Sequence, residues 1–472
     1  MNPLQVGGGF SLAWGGILDP VRSSTGQVII AALLVGCAVV LGGGGSPWPL
    51  PEMLLQGIAA LACAVWVVLS PLRFPFVSAD RRAWVIAGLL IVLPLVQMIP
   101  LPPMVWQALP GRELTRESLA LVGAQDSWHP WSLDPLRTLA SLLALLPAAA
   151  FMLMVAGLRR GGRATVMAMI ASMSLLGLVV GAGQLAGGEA NAFRFYERDV
   201  GFLNGFQANH NAAADVFLIA MVAAVATVRE YGEFKTHSRL TQSYRLLLSA
   251  GLVGLFTIGV FLTGSRAGIL LLPVAWAGVL AIVWPWLRFD RKALRIGGAI
   301  SIVAVLVIVA IFAQAGVVER VVRRFGDSGE LRPQIWHDTL FVIRQYFPWG
   351  VGMGGFVPAF VAVEPLEVID ATLTNRAHND YLEILVEGGI FAAMLLAAIS
   401  WNVAGLLRQA WQECPASSRS QVVFSTTALA VIALHSIVDY PLRSMSLAFL
   451  AAAAVALLMP APRGAETGNA DV

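Results

Sequence analysis

The sequence predicts an all-α polytopic integral membrane protein, and three observations support this fold class. Hydrophobic residues make up 57% of the 472-residue chain and charged residues only 12%, whereas soluble domains carry roughly 25% charged residues. Apolar runs recur along the whole chain, from Val28 to Met459. Several of these runs approach the ~20 residues that an α-helix needs to cross a bilayer. We therefore expect residues 1–472 to form a single integral membrane domain.

Twelve apolar segments are candidates for helices that cross the membrane. They lie near residues 28–44, 54–71, 83–101, 137–157, 164–186, 211–228, 246–264, 267–287, 296–316, 389–407, 423–439 and 444–460. Each segment is close to the length at which a helix spans the hydrocarbon core. The sequence therefore predicts about twelve transmembrane helices.

Basic residues in the short loops predict how these helices are oriented. They occupy every second short loop: Arg73, Arg81 and Arg82, then Arg159, Arg160 and Arg163, then Arg229, Lys235, Arg239 and Arg245, then Arg288, Arg291, Lys292 and Arg295. Because short cytoplasmic loops are enriched in arginine and lysine, we expect this side to be cytoplasmic, with a short cytoplasmic tail at 460–472. The long loops 102–136, 187–210 and 317–388 then face the opposite side, where we expect any chemistry to take place.

The longest outer loop is predicted to contain helices. Pro333 suits the first turn of a helix that ends at Pro348. The apolar stripe of this helix is predicted to be Trp336, Leu340, Ile343 and Phe347. A second helix is predicted to begin at Asp380, which forms a capping-box pattern with Glu383. The glycines at 388–389 are expected to interrupt this second helix.

Four cationic positions on the predicted outer side run against the basic-inside bias. Arg266 lies in the turn between two apolar runs, and Arg332, Arg376 and His378 lie in the longest outer loop. A bound anion would explain why positive charge is kept there. Structural alternatives exist: Arg266 as a turn arginine that extends to the interface, Arg376 as a charged loop residue, and His378 as a loop histidine without a role.

Two of these residues precede predicted helix starts, where free backbone N–H groups and the helix dipole attract phosphate. They are Arg332 and His378. Arginine suits a diphosphate because its planar guanidinium donates two hydrogen bonds to neighbouring oxygens. A neutral histidine can accept a proton, as a general base must do. The position and the residue type therefore both predict that a phosphate-bearing ligand binds here, next to a histidine that could act as a base.

Other polar residues have both structural and functional interpretations. Asn209, His210 and Asn211 could bind sugar hydroxyls, or they could cap the helix that follows. Asp439 and Arg443 are expected to form a structural pair at a helix end.

Several other functions are not supported. Cys37, Cys63 and Cys414 are scattered, so they form neither a disulfide framework nor a metal cluster, and we expect no metal or cofactor. The net charge of +3 is too small to indicate nucleic-acid binding. Residues 350–355 match the G-x-G-x-x-G dinucleotide pattern, but they lack the flanking strand and helix. A glycine turn is the better interpretation.

Five stretches in the C-terminal half resemble the signature segments of bacterial O-antigen ligases, O-antigen polymerases and related exopolysaccharide enzymes. They are LTGSRAG (262–268), RPQIW (332–336), GVGMGGF (350–356), AHNDYLEILVEGG (377–389) and HSIVDYPLR (435–443). Two earlier stretches, GFLNGFQANHNAA (201–213) and SLDPLRT (132–138), also resemble this family. Any one stretch is a weak signal, whereas the set is specific.

This resemblance implies a GT-C-like fold in the bacterial inner membrane. It also implies an enzyme that moves a glycan from undecaprenyl diphosphate to an acceptor hydroxyl in the periplasm, without a metal. By resemblance, Arg266 and Arg332 match the family's diphosphate-binding arginines, Arg376 is a possible third ligand, and His378 matches the catalytic histidine. The partners expected are the lipid-linked donor, an acceptor and membrane lipids.

The acceptor distinguishes the reactions within this family. A ligase uses the lipid A core, whereas a polymerase of O-antigen or exopolysaccharide uses another carrier-linked repeat unit. The motifs are shared, and we favour the ligase. A transporter or flippase is the alternative from a different class. Transporters place ionisable residues near the bilayer midplane, whereas the candidates here are concentrated in loops on one side.

Overall fold

The structure is a computed structural model that describes residues 25–44, 49–70, 80–187, 195–196, 201–234, 242–287, 332–364 and 373–462, together with isolated positions 295, 299 and 319. The predicted segment 296–316 and the basic residues Arg73, Lys235, Arg239, Arg288, Arg291 and Lys292 lie outside the described residues, as does most of the 460–472 tail.

The described residues are predominantly helical, which confirms the all-α prediction. In chain order the helices are α1 (Thr25–Leu41), α2 (Leu50–Leu69), α3 (Arg81–Gln97), α4 (Pro103–Trp106), α5 (Glu113–Ala120), α6 (Pro135–Ala156), α7 (Arg160–Ala186), α8 (His210–Phe234), α9 (Gln242–Leu262), α10 (Arg266–Leu287), α11 (Arg332–Tyr346), α12 (Phe356–Val363), α13 (Asp380–Glu413), α14 (Arg419–His435) and α15 (Met445–Leu458). Two-residue strands, β1 (Pro100–Leu101) and β2 (His129–Pro130), pair antiparallel between α3 and α6.

Within this described part, seven helices are long and apolar enough to cross a membrane: α2, α6, α7, α8, α9, α10 and α13. The shorter α1 and α15 are also apolar. Each predicted segment other than 296–316 coincides with a helix. The chain is therefore a multi-pass helical membrane protein, while the total of twelve spans and the GT-C-like arrangement stay predictions.

Helix α8 forms the centre of the bundle. Its residues from Ala212 to Ala226 are buried on every face, as expected of a helix that is apolar all round. It packs against α7, α9, α10 and α14. Polar groups on α8 are consequently held among other helices.

The two ends of α8 carry different chemistry. At its C-terminal end Glu230 accepts a hydrogen bond from Arg160 at 2.9 Å and one from Ser420, which links three predicted cytoplasmic positions. At its N-terminal end Asn211 contacts Asp439. About 28 Å of helix separates Asn211 from Glu230. The residues of the basic short loops and those of the predicted outer side thus lie at opposite ends of this helix.

Helix α11 confirms one prediction and corrects another. The helix spans Arg332–Tyr346 and ends before Pro348, as predicted. Its buried residues are Thr339, Val342 and Tyr346. Within the predicted stripe, Trp336 and Ile343 are half-buried, whereas Leu340 is 44% exposed and Phe347 48% exposed, so only half of the predicted stripe packs inward. The buried face is set by Tyr346, whose ring packs against Gly111, where a side chain would clash with it.

Helix α13 is interrupted at Gly389, as predicted. Gly389 has φ 54° and ψ −139°, a conformation that only glycine adopts at low cost. A Cβ at this position would clash with the carbonyl oxygen of Pro348. That oxygen accepts a hydrogen bond from Ile390 N at 2.9 Å. The kink therefore lets the turn after α11 close onto α13.

Candidate active site

His378 forms the centre of the candidate site. It lies two residues before α13 and has φ 48°, in the left-handed region that a residue other than glycine seldom occupies. Its Nδ1 is 3.1 Å from Oδ1 of Asp439, and its side chain is 28% exposed. The Tyr440 ring meets the imidazole edge-on, with ring centroids 5.0 Å apart. One nitrogen is thus held by a carboxylate while part of the ring remains accessible.

Asp439 is a buried carboxylate, with a side chain that is 3% exposed. Its second oxygen, Oδ2, accepts a hydrogen bond from Asn211 Nδ2 at 2.5 Å. Burial acts to raise the pKa of Asp439, but the hydrogen bond from His378 and the nearby charges of His378, His435 and Arg332 hold that pKa below its ordinary value. Asp439 is therefore ionised at neutral pH and is positioned to orient His378.

The loop that carries Asp439 is attached to the start of α13. Asn379 Nδ2 donates to the Ile437 carbonyl at 2.8 Å. The Asp380 carboxylate accepts from Ser436 Oγ at 3.0 Å and from the Leu442 amide at 3.3 Å. These bonds join two segments that lie about sixty residues apart in the chain, and they fix the geometry of the His378–Asp439 pair.

The predicted capping box at Asp380 is wrong by one residue. The N-cap of α13 is Asn379, whose side chain accepts from the Leu382 amide at 3.0 Å. Asp380 is instead buried against the 436–442 loop. Glu383 accepts from the Ala377 amide at 3.0 Å rather than from the capping residue. Asn379 takes this role because it stands directly before the first helical residue, where its side-chain oxygen reaches the Leu382 amide.

The expected pair between Asp439 and Arg443 is also wrong. Arg443 lies at the end of a 3₁₀ turn that begins at Pro441, so the two side chains are not on consecutive turns of one helix. Its guanidinium is 2.7 Å from Glu387, 3.4 Å from Glu383 and 3.7 Å from Asp380. Burial disfavours the charged form of Arg443, but these three carboxylates raise its pKa above the ordinary value. Arg443 stabilises the first two turns of α13.

Arg376 belongs to the same ionic cluster. Its Nη1 is 2.8 Å from Oε1 of Glu383, and its side chain is 26% exposed. The contact gives Arg376 a structural role in holding the segment before α13. Its role as a third phosphate ligand stays a prediction.

Arg332 is brought close to the histidine by α11. Trp336 Nε1 donates to the His378 carbonyl at 3.3 Å. Arg332 and Trp336 are four residues apart and therefore share one face of the helix. The charge of Arg332 also acts on Asp439 and His435. The structure thus brings Arg332 and the His378–Asp439 pair together.

Arg266 lies at the start of α10, after the turn 263–265. Gly264 has φ 65°, and a Cβ there would clash with the Phe202 ring. Ser265 Oγ accepts from the Gly268 amide at 3.1 Å and so caps the helix. Phe202 in turn stacks on His210, with ring centroids 5.5 Å apart. Arg266 therefore lies at the same end of the bundle as Asn211 and Asp439.

The 209–211 cluster contributes to capping and to the site itself. Asn209 Oδ1 accepts from the Asn211 amide at 2.7 Å at the start of α8, which confirms the capping interpretation. Asn209 Nδ2 also approaches the Tyr440 hydroxyl at 3.4 Å. Asn211 contributes by binding Asp439. Glycan binding by Asn209, His210 and Asn211 stays a prediction.

The glycine loop 350–355 is a structural turn. Its amides at 351–354 donate to the Val386 carbonyl, the Glu387 carbonyl, Gln97 Oε1 and Glu387 Oε1, at 3.0, 2.8, 2.9 and 2.8 Å respectively. Gly350, Gly352 and Gly354 all have positive φ. Because these donors are used within the protein, they do not form the phosphate cradle of a dinucleotide site. Glu387 links this loop to Arg443.

Sequence reasoning missed two features of the site: Asp439 as the partner of His378, and a buried pair between His435 and Asp215. Their signal is the spacing of polar residues within apolar segments. Asn211 and Asp215 are four residues apart on α8, and His435 and Asp439 are four apart at the end of α14. Polar residues at this spacing share a helix face.

The fold and the site define a multi-pass α-helical membrane protein with a histidine–carboxylate pair and arginines at one end of its bundle. Residues 251–397 match the family model described as O-antigen ligase, which agrees with the resemblance of the motifs. This range includes Arg266, Arg332, Arg376 and His378. Comparison with curated proteins gives no significant match.

Proposed function

We propose that this protein is a glycosyltransferase that moves a glycan from undecaprenyl diphosphate to an acceptor hydroxyl on the periplasmic face of the inner membrane. The observation that carries this proposal is the contact between His378 and the buried Asp439, with Arg332 close enough to act on the same carboxylate. The match to the O-antigen ligase family model supports the class of reaction.

The proposed reaction is a single in-line displacement. The acceptor oxygen forms a bond to the anomeric carbon while the bond from that carbon to the phosphate oxygen breaks. The acceptor proton passes to Nε2 of His378, and the bonding electron pair leaves on the diphosphate. One displacement inverts the configuration at the anomeric carbon.

Asp439 supports the base in two ways. Its carboxylate accepts from Nδ1 of His378 and so leaves Nε2 as the nitrogen that receives the proton. It also stabilises the positive charge that develops on the ring, as the carboxylate of a histidine–carboxylate pair does in acyl transfer. Asn211, on the other oxygen, keeps the carboxylate oriented.

Arg266 and Arg332 are proposed to bind the diphosphate. Both stand at helix starts, where backbone N–H groups add to the positive potential. Charge on the leaving diphosphate grows in the transition state, so fixed guanidinium groups would stabilise it more than they stabilise the bound donor. This arrangement requires no metal ion.

We favour the lipid A core as the acceptor, with an O-antigen or exopolysaccharide polymerase as the alternative. The family description supports the ligase. A lipopolysaccharide gel from a deletion strain tests this choice. Loss of all O-chain supports the ligase, and core that carries a single repeat supports the O-antigen polymerase. Unchanged lipopolysaccharide with missing exopolysaccharide supports the third reaction.

The chemistry is tested with purified protein in detergent, a labelled lipid-linked donor and core acceptor. We expect transfer to continue in EDTA and the product to have inverted anomeric configuration by NMR. Arg266→Gln and Arg332→Gln should each reduce kcat/KM by about 10²–10³-fold. Arg344→Gln, an exposed arginine on the same helix as Arg332, is the matched control. Retained configuration, or loss of activity in EDTA, would contradict the proposal.

A further inference from the structure

A second histidine–carboxylate pair lies one helical turn behind the first. His435 Nδ1 is 2.5 Å from Oδ1 of Asp215, and both side chains are 1% exposed. Asp215 follows Asn211 by one turn of α8, and His435 precedes Asp439 by one turn, with Asp439 N donating to the His435 carbonyl at 2.9 Å. The contacts Asn211–Asp439 and Asp215–His435 therefore form two successive rungs between α8 and the end of α14.

The buried contact between His435 and Asp215 leaves polar atoms unpaired in the described part of the chain. Among the described residues, Nε2 of His435 and Oδ2 of Asp215 have no hydrogen-bond partner, although both are buried. Leaving a buried polar atom unpaired is destabilising. The site proposed above does not use either residue in contact with substrate. A buried ionisable pair that is retained at this cost, next to Asp439, points to an electrostatic role.

The charges around the pair indicate what that role is. His435 is faced by Asp215 from α8, by Asp439 from the loop after α14 and by Arg332 from α11. Asp215 is faced by His435 and Asp439. With neutral His378, the two carboxylates carry two negative charges and Arg332 carries one positive charge. A proton on His435 makes this group of side chains electrically neutral.

We propose that His435 and Asp215 form an ion pair whose positive end stabilises the Asp439 carboxylate, and that this pair sets the pH range in which His378 is free to accept a proton. His435 and Asp215 are thus positioning residues that act through Asp439. The catalytic consequence rests on the proposed function, whereas the electrostatic effect on His378 does not.

The proposal predicts the direction of a shift. Without the positive charge of His435, the environment of His378 is more negative, so this histidine keeps its proton to a higher pH. For two unit charges on the order of 8 Å apart at an intermediate dielectric, the effect is about one pH unit. Asp215→Asn removes the carboxylate that holds the proton on the buried His435. Both charges of the pair are then lost, so the shift should have the same direction as in His435→Asn and should be no larger.

The test treats the folded, detergent-solubilised protein with diethyl pyrocarbonate at a series of pH values. The labelled protein is then digested, and carbethoxylation of His378 is measured by mass spectrometry. Only neutral imidazole reacts, and no donor or acceptor is needed. We expect the midpoint to rise by up to about one pH unit in His435→Asn, and to rise by no more than that in Asp215→Asn and in the double variant. The shifts of Asp215→Asn and of the double variant should be equal, because both variants leave the two positions uncharged.

Several outcomes would overturn the proposal: an unchanged midpoint in either single variant, a downward shift, or a double-variant shift equal to the sum of the two. If His435→Asn does not fold, the nearly isosteric Asp215→Asn decides alone. His337→Asn, an exposed histidine on α11 that is paired with Asp338, is the control and should leave the midpoint unchanged. The acid limb of the transfer rate should move with the midpoint. A shift without any transfer activity would refute the proposed function alone.

Discussion

Replacing Asp439 with asparagine removes one negative charge and leaves the shape of the site nearly unchanged. The carboxylate lies 3.1 Å from Nδ1 of His378 and is almost completely buried. The centres of the two charged groups are about 4 Å apart, which corresponds to about 4 kcal/mol at an effective dielectric near 20. That energy is available only when the ring is protonated in the transition state. We therefore expect kcat to fall about 10³-fold.

Single-turnover transfer with saturating labelled donor isolates this effect from binding. In Asp439→Asn the chemical step should slow about 10³-fold while the KM for the acceptor stays close to that of the wild type. Asp338→Asn, a carboxylate on α11 that pairs with His337, is the control and should keep full activity. If Asp439→Asn kept a rate within tenfold of the wild type, Asp439 would not be the partner of a catalytic base.

Three further predictions concern stability. Arg163 is buried and donates to three carbonyl groups at 2.6–2.9 Å, so Arg163→Met should lower the thermal-denaturation midpoint in detergent by several degrees, while the exposed Arg344→Met should not. Gly352 has φ 100°, and a Cβ there would clash with Ser132 Oγ, so Gly352→Ala should lower the yield of folded protein in size-exclusion chromatography; a wild-type yield would contradict the assigned packing. Because the pKa of Asp439 is held below its ordinary value, its charge stabilises the fold fully above about pH 4 and loses this effect as the pH falls further. The difference in denaturation midpoint between wild type and Asp439→Asn should therefore shrink as the pH falls below about 4; a gap that closes above pH 5 would contradict this.

The helices could be predicted because a lipid environment demands long apolar runs whose backbone bonds are all internal. Each predicted segment within the described residues coincides with a helix. The packing face of α11 could not be predicted in the same way. Two residues of its apolar stripe, Leu340 and Phe347, are exposed, whereas Tyr346 is buried and packs against Gly111. Such a fit depends on contacts between distant parts of the chain.

The cationic residues of the site could be predicted because they depart from the positive-inside rule. Arg266, Arg332 and His378 carry or can carry positive charge on the side where short loops avoid it. The partner of His378 could not be found, because Asp439 lies 61 residues further along the chain. The spacing of Asp439 and Arg443 suggested a pair on one helix. The chain forms a 3₁₀ turn at Pro441 instead, and Arg443 binds a carboxylate of α13.

The prediction of the N-cap of α13 was wrong because the side chains of Asp380 and Glu383 bind other side chains. The capping-box pattern predicted Asp380 as the N-cap, whereas the N-cap is the residue before it. Asn379 caps the helix, and both carboxylates serve long-range contacts instead. A local pattern cannot show that Ser436 binds the Asp380 carboxylate or that Arg376 binds the Glu383 carboxylate.

The most direct test of the central claim is the transfer rate of His378→Ala in purified protein that retains bound lipid-linked donor. If His378 is the base of a metal-independent transfer, the variant should bind donor as the wild type does and should transfer glycan at least 10²–10⁴-fold more slowly, with and without EDTA. Transfer by His378→Ala at the wild-type rate would contradict the assignment of the active site.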